Sequence, residues 1–236
     1  MKPATLSVAW ATNADLASVP DSDLPAAELE RASRFGSELR RQQYTASRAM
    51  LRALLADYTG RPASSFQLGA DDRGKPLCVD GPAVSISHSG DFVACAVCDV
   101  GDIGVDLEFW NRSRDVEAIA RRFFSPEESE WLATQPADHF YRLWVLKEAW
   151  LKATGVGLSG GLDKLRCIVK PPVIETLAGS APVAALRLYA LRDGLLGIAA
   201  VDERPAGIEV RRWSPAQSEF VADDDLRLIA DSEADD

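Results

Sequence analysis

The order of elements predicts an α+β protein of two similar halves, each a long helix packed on a small, mostly antiparallel sheet. Three observations carry this. The 236 residues suffice for two units of roughly 100–120, each with its own core. Apolar residues recur at helical spacing twice, over 27–58 and 138–154, and strand-like runs follow each time. Apolar residues make up 47% and charged residues 26%, which excludes a disordered or fibrous chain. The expected division is an N-terminal half over 1–104, a C-terminal half over 105–221 and an acidic tail over 222–236.

Residues 6–11 read as a first strand. Over 27–58 one or two helices are expected, with Phe35, Leu39, Ala46, Met50, Leu54 and Tyr58 on the apolar face, ending at Gly60-Arg61-Pro62. Short strands follow near 66–68, 83–87, 92–98 and 103–108, separated by turns such as Asp72-Arg73-Gly74-Lys75-Pro76 and Asp80-Gly81-Pro82. Ser125-Pro126-Glu127-Glu128 is a helix start, with a capping serine, proline at the first helical position and an acid at the third. The helix over 138–154 stops at Gly155. Stretches near 165–170, 184–191, 196–202 and 208–212 alternate like strands.

The net charge is -10. Residues 222–236 hold seven acids against Arg227, so much of the acidity belongs to a tail expected to be frayed and solvated. This sign disfavours nucleic acid as a partner. No apolar run approaches the ~20 residues of a membrane span, and the first residues make a poor signal peptide, so a cytoplasmic protein without membrane contact is expected. Four cysteines without a secretory signal suggest reduced thiols. Cys95 and Cys98 have CxxC spacing, but on a strand positions three apart face opposite sides, so both read as buried structural thiols.

Four constellations could carry chemistry. In Gly104-Val105-Asp106-Leu107-Glu108 the two carboxylates share one strand face. At ~5 Å and an effective dielectric of ~20 they repel by about 3 kcal/mol, which a cation, a proton or full solvation must relieve. The helix from Phe140 to Lys152 is too apolar for a surface helix, yet Glu148 and Lys152 stand at i,i+4 with Lys147 beside them. Ionised groups on a helix this buried need partners. Ser87-His88-Ser89-Gly90 follows a strand, where His88 is either a hydrogen-bonded structural residue or a ligand-binding one. Arg73-Gly74-Lys75-Pro76 is a tight turn with two cations, solvated or available to a phosphate. Gly155-Val156-Gly157-Leu158-Ser159-Gly160 fits GxGxxG but follows a helix, so the dinucleotide context fails.

In this order and spacing, Arg73-Gly74-Lys75-Pro76, Ser87-His88-Ser89-Gly90, Gly104-Val105-Asp106-Leu107-Glu108, Arg122-Phe123-Phe124-Ser125 and the segment from Trp144 to Lys152 resemble the 4'-phosphopantetheinyl transferases. The likeness is to the long, pseudo-dimeric class serving polyketide and nonribosomal peptide synthases, and it spans about 28–165. It implies two α+β halves about a pseudo-twofold, with coenzyme A and Mg²⁺ in the cleft. The implied metal ligands are Asp106, Glu108 and Glu148, hard carboxylates that suit Mg²⁺ and also accept Mn²⁺. Glu148 is the implied base for the serine of an apo carrier domain of a polyketide, nonribosomal peptide or fatty acid synthase. Lys152 is implied to stabilise the departing adenosine 3',5'-bisphosphate. Arg73, Lys75, Ser87, His88 and Arg31 are implied to hold coenzyme A, the last two near its 3'-phosphate.

Two positions depart from the family pattern: Ser85 stands where asparagine is common, and Glu28 where a basic residue is. The 3'-phosphate grip is then weaker or falls to Arg34 or Arg48. Arg112, Arg114, Arg121 and Arg122 leave residues 109–124 at +2, and the carrier is expected to contact this stretch near Arg112 and Arg114. A pseudo-dimer needs no second subunit, so a monomer is expected. The competing readings are a non-catalytic module that binds coenzyme A or carrier proteins, and another Mg²⁺-dependent phosphotransferase or hydrolase.

Overall fold

The computed structural model describes residues 4–16, 24–111, 113–157, 161–176 and 184–232. In chain order the elements are β1 (Thr5–Thr12), α1 (Asn13–Leu16), α2 (Ala26–Ser33), α3 (Glu38–Thr59), β2 (Gln67–Ala70), β3 (Pro76–Val79), β4 (Ala83–Ser89), β5 (Phe92–Cys98) and β6 (Asp102–Phe109). Next come α4 (Val116–Phe123), α5 (Pro126–Leu132), α6 (Asp138–Thr154), β7 (Leu165–Val169), β8 (Pro172–Thr176), β9 (Ala184–Leu191), β10 (Gly194–Val201), β11 (Gly207–Ser214), β12 (Glu219–Ala222) and β13 (Arg227–Asp231). They form two compact units, Met1–Val100 with Pro205–Asp223, and Gly101–Arg204 with Asp224–Asp236. The α+β class is as expected. Among the described residues no helix is long and apolar enough to cross a membrane.

The first unit is a five-stranded sheet in the order β12-β11-β1-β5-β4 with α3 packed on it. All pairs are antiparallel except β1 with β11, which run parallel from Thr5 opposite Gly207 to Trp10 opposite Arg212. Met50, Leu51, Leu54 and Leu55 of α3 meet Val93, Cys95 and Val97 of β5 in the core. The 27–58 stretch is two helices. A bidentate, buried ion pair ties them: Arg52 donates from Nη2 to Glu28 Oε1 (3.1 Å) and from Nε to Oε2 (3.2 Å). Arg52 Nη1 also donates to the carbonyls of Ala63 and Phe66. Gly60, with φ of 72°, ends α3 in the left-handed conformation that glycine adopts without steric cost.

The second unit is a four-stranded antiparallel sheet, β13-β9-β10-β6, with α6 across β6 and β10. Two glycines let the helix come close. A Cβ on Gly104 of β6 would lie 1.9 Å from the carbonyl oxygen of Ala149, and one on Gly197 of β10 would lie 2.6 Å from that of Val145. The predicted start of α5 is present: Ser125 Oγ accepts from the backbone N–H of Glu128, with Pro126 in the first turn. All four cysteines are buried free thiols.

Three expectations about the division of the chain need correction. The first unit ends at Val100, not residue 104, so all of β6 belongs to the second. Strands β11 and β12 return to the first unit, although they lie within the expected C-terminal half, because β1 needs a second neighbour to bury its apolar residues. The tail is not wholly frayed: Arg227–Asp231 pairs with β9, and Arg187 Nε meets Asp231 Oδ2 at 2.7 Å.

Candidate active site

The second unit gathers four of the predicted site residues. The Gly104 contact turns the even-numbered face of β6 towards α6, so Asp106 and Glu108 point the same way. Glu148 and Lys152 flank Ala149 and Ala153, the helix residues against which Gly104 packs. Lys152 Nζ donates to Asp106 Oδ1 (2.7 Å) and to the carbonyl of Val105 (3.0 Å). Glu108 Oε1 accepts from Arg114 Nη1 at 3.2 Å.

Asp106 is 5% and Glu148 8% exposed, so both are desolvated. Burial, then the charges of Asp106 and Glu108 opposed by Lys152, pushes the Glu148 carboxyl up to about 7. Its Oε1 is buried with no hydrogen-bond donor. A buried, unsatisfied carboxylate oxygen beside two further acids is the environment that a hard divalent cation would satisfy. Among the described residues, however, no three His, Cys, Asp or Glu side chains are gathered tightly enough to hold a metal ion. The ammonium of Lys152 is the cation that meets Asp106.

Lys147, beside this pair in sequence, has a different task. It is fully buried, bonded to the Glu128 carboxylate and to the carbonyls of Leu162 (3.1 Å) and Leu165 (2.7 Å), with Nζ 4.4 Å from the Phe124 ring centroid. Glu128 Oε1 accepts the Cys167 N–H at 2.8 Å. The sequence marks Glu128 only as a capping acid, yet the structure turns it inward, joining α5, α6 and β7. An acid on one short helix and a lysine on an apolar helix were the available signal; nothing local pairs them.

The residues expected to hold coenzyme A lie in the first unit. Asp71 Oδ1 accepts the N–H groups of Arg73 (2.9 Å) and Lys75 (2.8 Å), and Gly74 takes φ of 86°, so the turn holds both cations on a defined backbone. Ser87 is buried and His88 exposed at the end of β4. Arg31, exposed on α2, lies with Cζ 5.7 Å from the Tyr44 ring centroid. Arg112 lies outside the described residues. Arg114, the other expected carrier contact, is engaged with Glu108 and stands 5.7 Å from the Trp144 ring centroid.

Comparison with known proteins gives two family matches. Residues 29–98 match the 4'-phosphopantetheinyl transferase N-terminal domain, and residues 102–192 match the 4'-phosphopantetheinyl transferase superfamily. The 4'-phosphopantetheinyl transferase HetI of Nostoc sp. is 39% identical over 166 residues, 66% of this chain and 68% of that protein. The 4'-phosphopantetheinyl transferase Sfp of Bacillus subtilis is 36% identical over 121 residues, 48% of this chain and 52% of its own length. The L-aminoadipate-semialdehyde dehydrogenase-phosphopantetheinyl transferase of Mus musculus is 30% identical over 161 residues, 61% of this chain and 52% of that protein.

Proposed function

The chain belongs to the 4'-phosphopantetheinyl transferase family, and from that premise we propose that it moves the phosphopantetheine arm of coenzyme A onto a serine of an apo carrier domain. The observation that supports this most is the meeting of Glu148 and Lys152 of α6 with Asp106 and Glu108 of β6 in a chain of this family. In the reaction the serine Oγ bonds to the phosphorus that carries pantetheine. The pyrophosphate bridge breaks, and adenosine 3',5'-bisphosphate leaves.

Glu148 suits the part of base. In the metal-free chain burial and the neighbouring acids raise its carboxyl to about 7, and a bound Mg²⁺ would lower it, so the role rests on its place beside Asp106 and Lys152. Lys152, fixed by Asp106 and the Val105 carbonyl, places a positive charge where the leaving bisphosphate gains negative charge. Asp106, Glu108 and Glu148, which are not gathered tightly enough for a metal ion as they stand, would have to draw together to hold Mg²⁺, and the ion would neutralise charge on the pyrophosphate oxygens. Lys75, Arg73, Ser87, His88 and Arg31 would grip coenzyme A. The carrier would meet the stretch 109–124, near Arg112 and Arg114, and polyketide, nonribosomal peptide or fatty acid synthases would supply it.

The test is incubation with coenzyme A, Mg²⁺ and an apo carrier domain, with mass spectrometry of the carrier serine. Modification is expected with the native chain. It should fall by at least about a hundredfold in Asp106→Ala and Glu148→Ala, the scale of losing a positioned base or charge. An unmodified carrier across a panel of synthase types, or full rates in both variants, would refute the proposal.

A further inference from the structure

Strand β7 pairs with β8 alone, and its other edge faces α5 and α6. In an antiparallel pair successive residues turn their N–H and C=O groups alternately to the partner and away from it. The Cys167 N–H goes to Glu128 and the Leu165 carbonyl to Lys147, so Leu165, Cys167 and Val169 are the residues whose backbone faces away from β8. Pro172, which stands opposite Val169, has no N–H to offer it. Glu128 and Lys147 thus occupy the first part of this edge. Beyond them stand the Cys167 carbonyl and both backbone groups of Val169, and among the described residues no group bonds to these three.

A strand edge left uncovered is a template for a further strand. This one borders a recess of about 880 Å³ between β7, α5 and the start of α6, with Trp131, His139, Leu143 and Ile168 in its walls. Trp131 is 43% and Ile168 39% exposed, two large apolar side chains left in solvent in one recess. The Trp131 ring meets the His139 ring edge-on at 5.5 Å, which steadies the indole. Charge narrows the choice of occupant. Arg142 is neutralised by Asp138, which accepts from its Nε (3.1 Å) and Nη2 (2.8 Å), and Glu128 is neutralised by Lys147. Arg166 and Lys170 are exposed, and among the described residues neither forms an ion pair; Glu127 is the lining acid that faces them, and Glu175 lies opposite Arg166 on β8. Arg166 and Ile168 share one face of β7, and Lys170 follows at the turn, which sets cation, apolar side chain and cation at alternate positions.

We infer that the open edge of β7 binds an extended segment of a partner protein by strand addition, a segment with acid, apolar and acid side chains at alternate positions. Its backbone pairs with Cys167 and Val169, its acids lie beside Arg166 and Lys170, and its central side chain packs against Ile168 and Trp131. The inference does not rest on the transferase reading.

The experiment adds the peptide acetyl-Ser-Glu-Thr-Phe-Thr-Glu-Ser-amide to the full chain and follows amide hydrogen exchange by NMR and affinity by calorimetry. Exchange at Val169 is expected to slow by about tenfold or more at saturating peptide, since a hydrogen-bonded amide exchanges only on opening. Val169→Pro removes that donor at an outward position that a strand edge tolerates, and should weaken the peptide about threefold to tenfold. The double variant Arg166→Glu, Lys170→Glu should weaken it by about tenfold or more, and a peptide with lysine for both glutamates should bind the native chain more weakly by a similar factor. Binding that leaves Val169 exchange unchanged would mean a side-chain ligand of the recess and no added strand, which overturns the inference. Equal binding of the lysine peptide, or no binding at millimolar concentration, overturns it as well. If Val169→Pro does not fold, the exchange at native Val169 and the double variant decide. Carrier modification enters none of these readings, so either proposal can fail without the other.

Discussion

Glu148 gathers the most electrostatic consequence into one side chain. Its folded pKa of about 7 stands above the ordinary 4.5, so in the metal-free chain the ionised form is disfavoured by folding. Below pH 4.5 both folded and unfolded chains carry the proton and no penalty exists. Between 4.5 and 7 the unfolded chain releases it first, so this residue's contribution to stability falls by up to about 3 kcal/mol and stays lowered above 7. Thermal melts in chelator should therefore show Glu148→Gln close to the native protein at pH 4.5 and several degrees above it at pH 8. A gap that stays constant across this range would mean that Glu148 does not titrate there. Lys147 is the contrast, a lysine whose pKa burial pushes down while Glu128 holds it up. The two neighbours in sequence differ because one points at other acids and the other at a single acid and two carbonyls.

The element that sets the candidate site is α6, and the glycines beneath it fix its height. Gly104→Ala would set a methyl group 1.9 Å from the Ala149 carbonyl oxygen, so the helix or the strand must move. Overpacking of this kind costs about 1–3 kcal/mol. Because α6 carries Glu148 and Lys152 and β6 carries Asp106 and Glu108, phosphopantetheine transfer should drop further than the melting temperature predicts. The measurement is the transfer rate at a temperature where both proteins are fully folded. An unchanged rate would show that this contact does not set the spacing. The sequence showed the apolar helix and the acidic strand separately. That Gly104 is the point where they touch follows only from the packing, since glycine leaves no periodic mark of its partner.

At the level of the whole chain, the last 30 residues are divided between the units. Strands β11 and β12 complete the first sheet and β13 completes the second. Removing 224–236 should leave the first unit intact and expose the edge of β9. Hydrogen exchange should then quicken along Ala184–Leu191 and stay unchanged along β1 and β5. Equal quickening in both sheets would show that the units do not unfold separately. The α+β class, the two long helices, their caps at Gly60 and Gly155 and the order of the motifs were determined by the sequence alone, because caps, turns and apolar periodicity act over a few residues. Four matters were decided only by the tertiary structure: the boundary at Val100, the return of β11 to β1, the inward turn of Glu128 to Lys147 and the open edge of β7. Each joins or isolates groups remote in sequence, where burial rather than local spacing determines which partners are found.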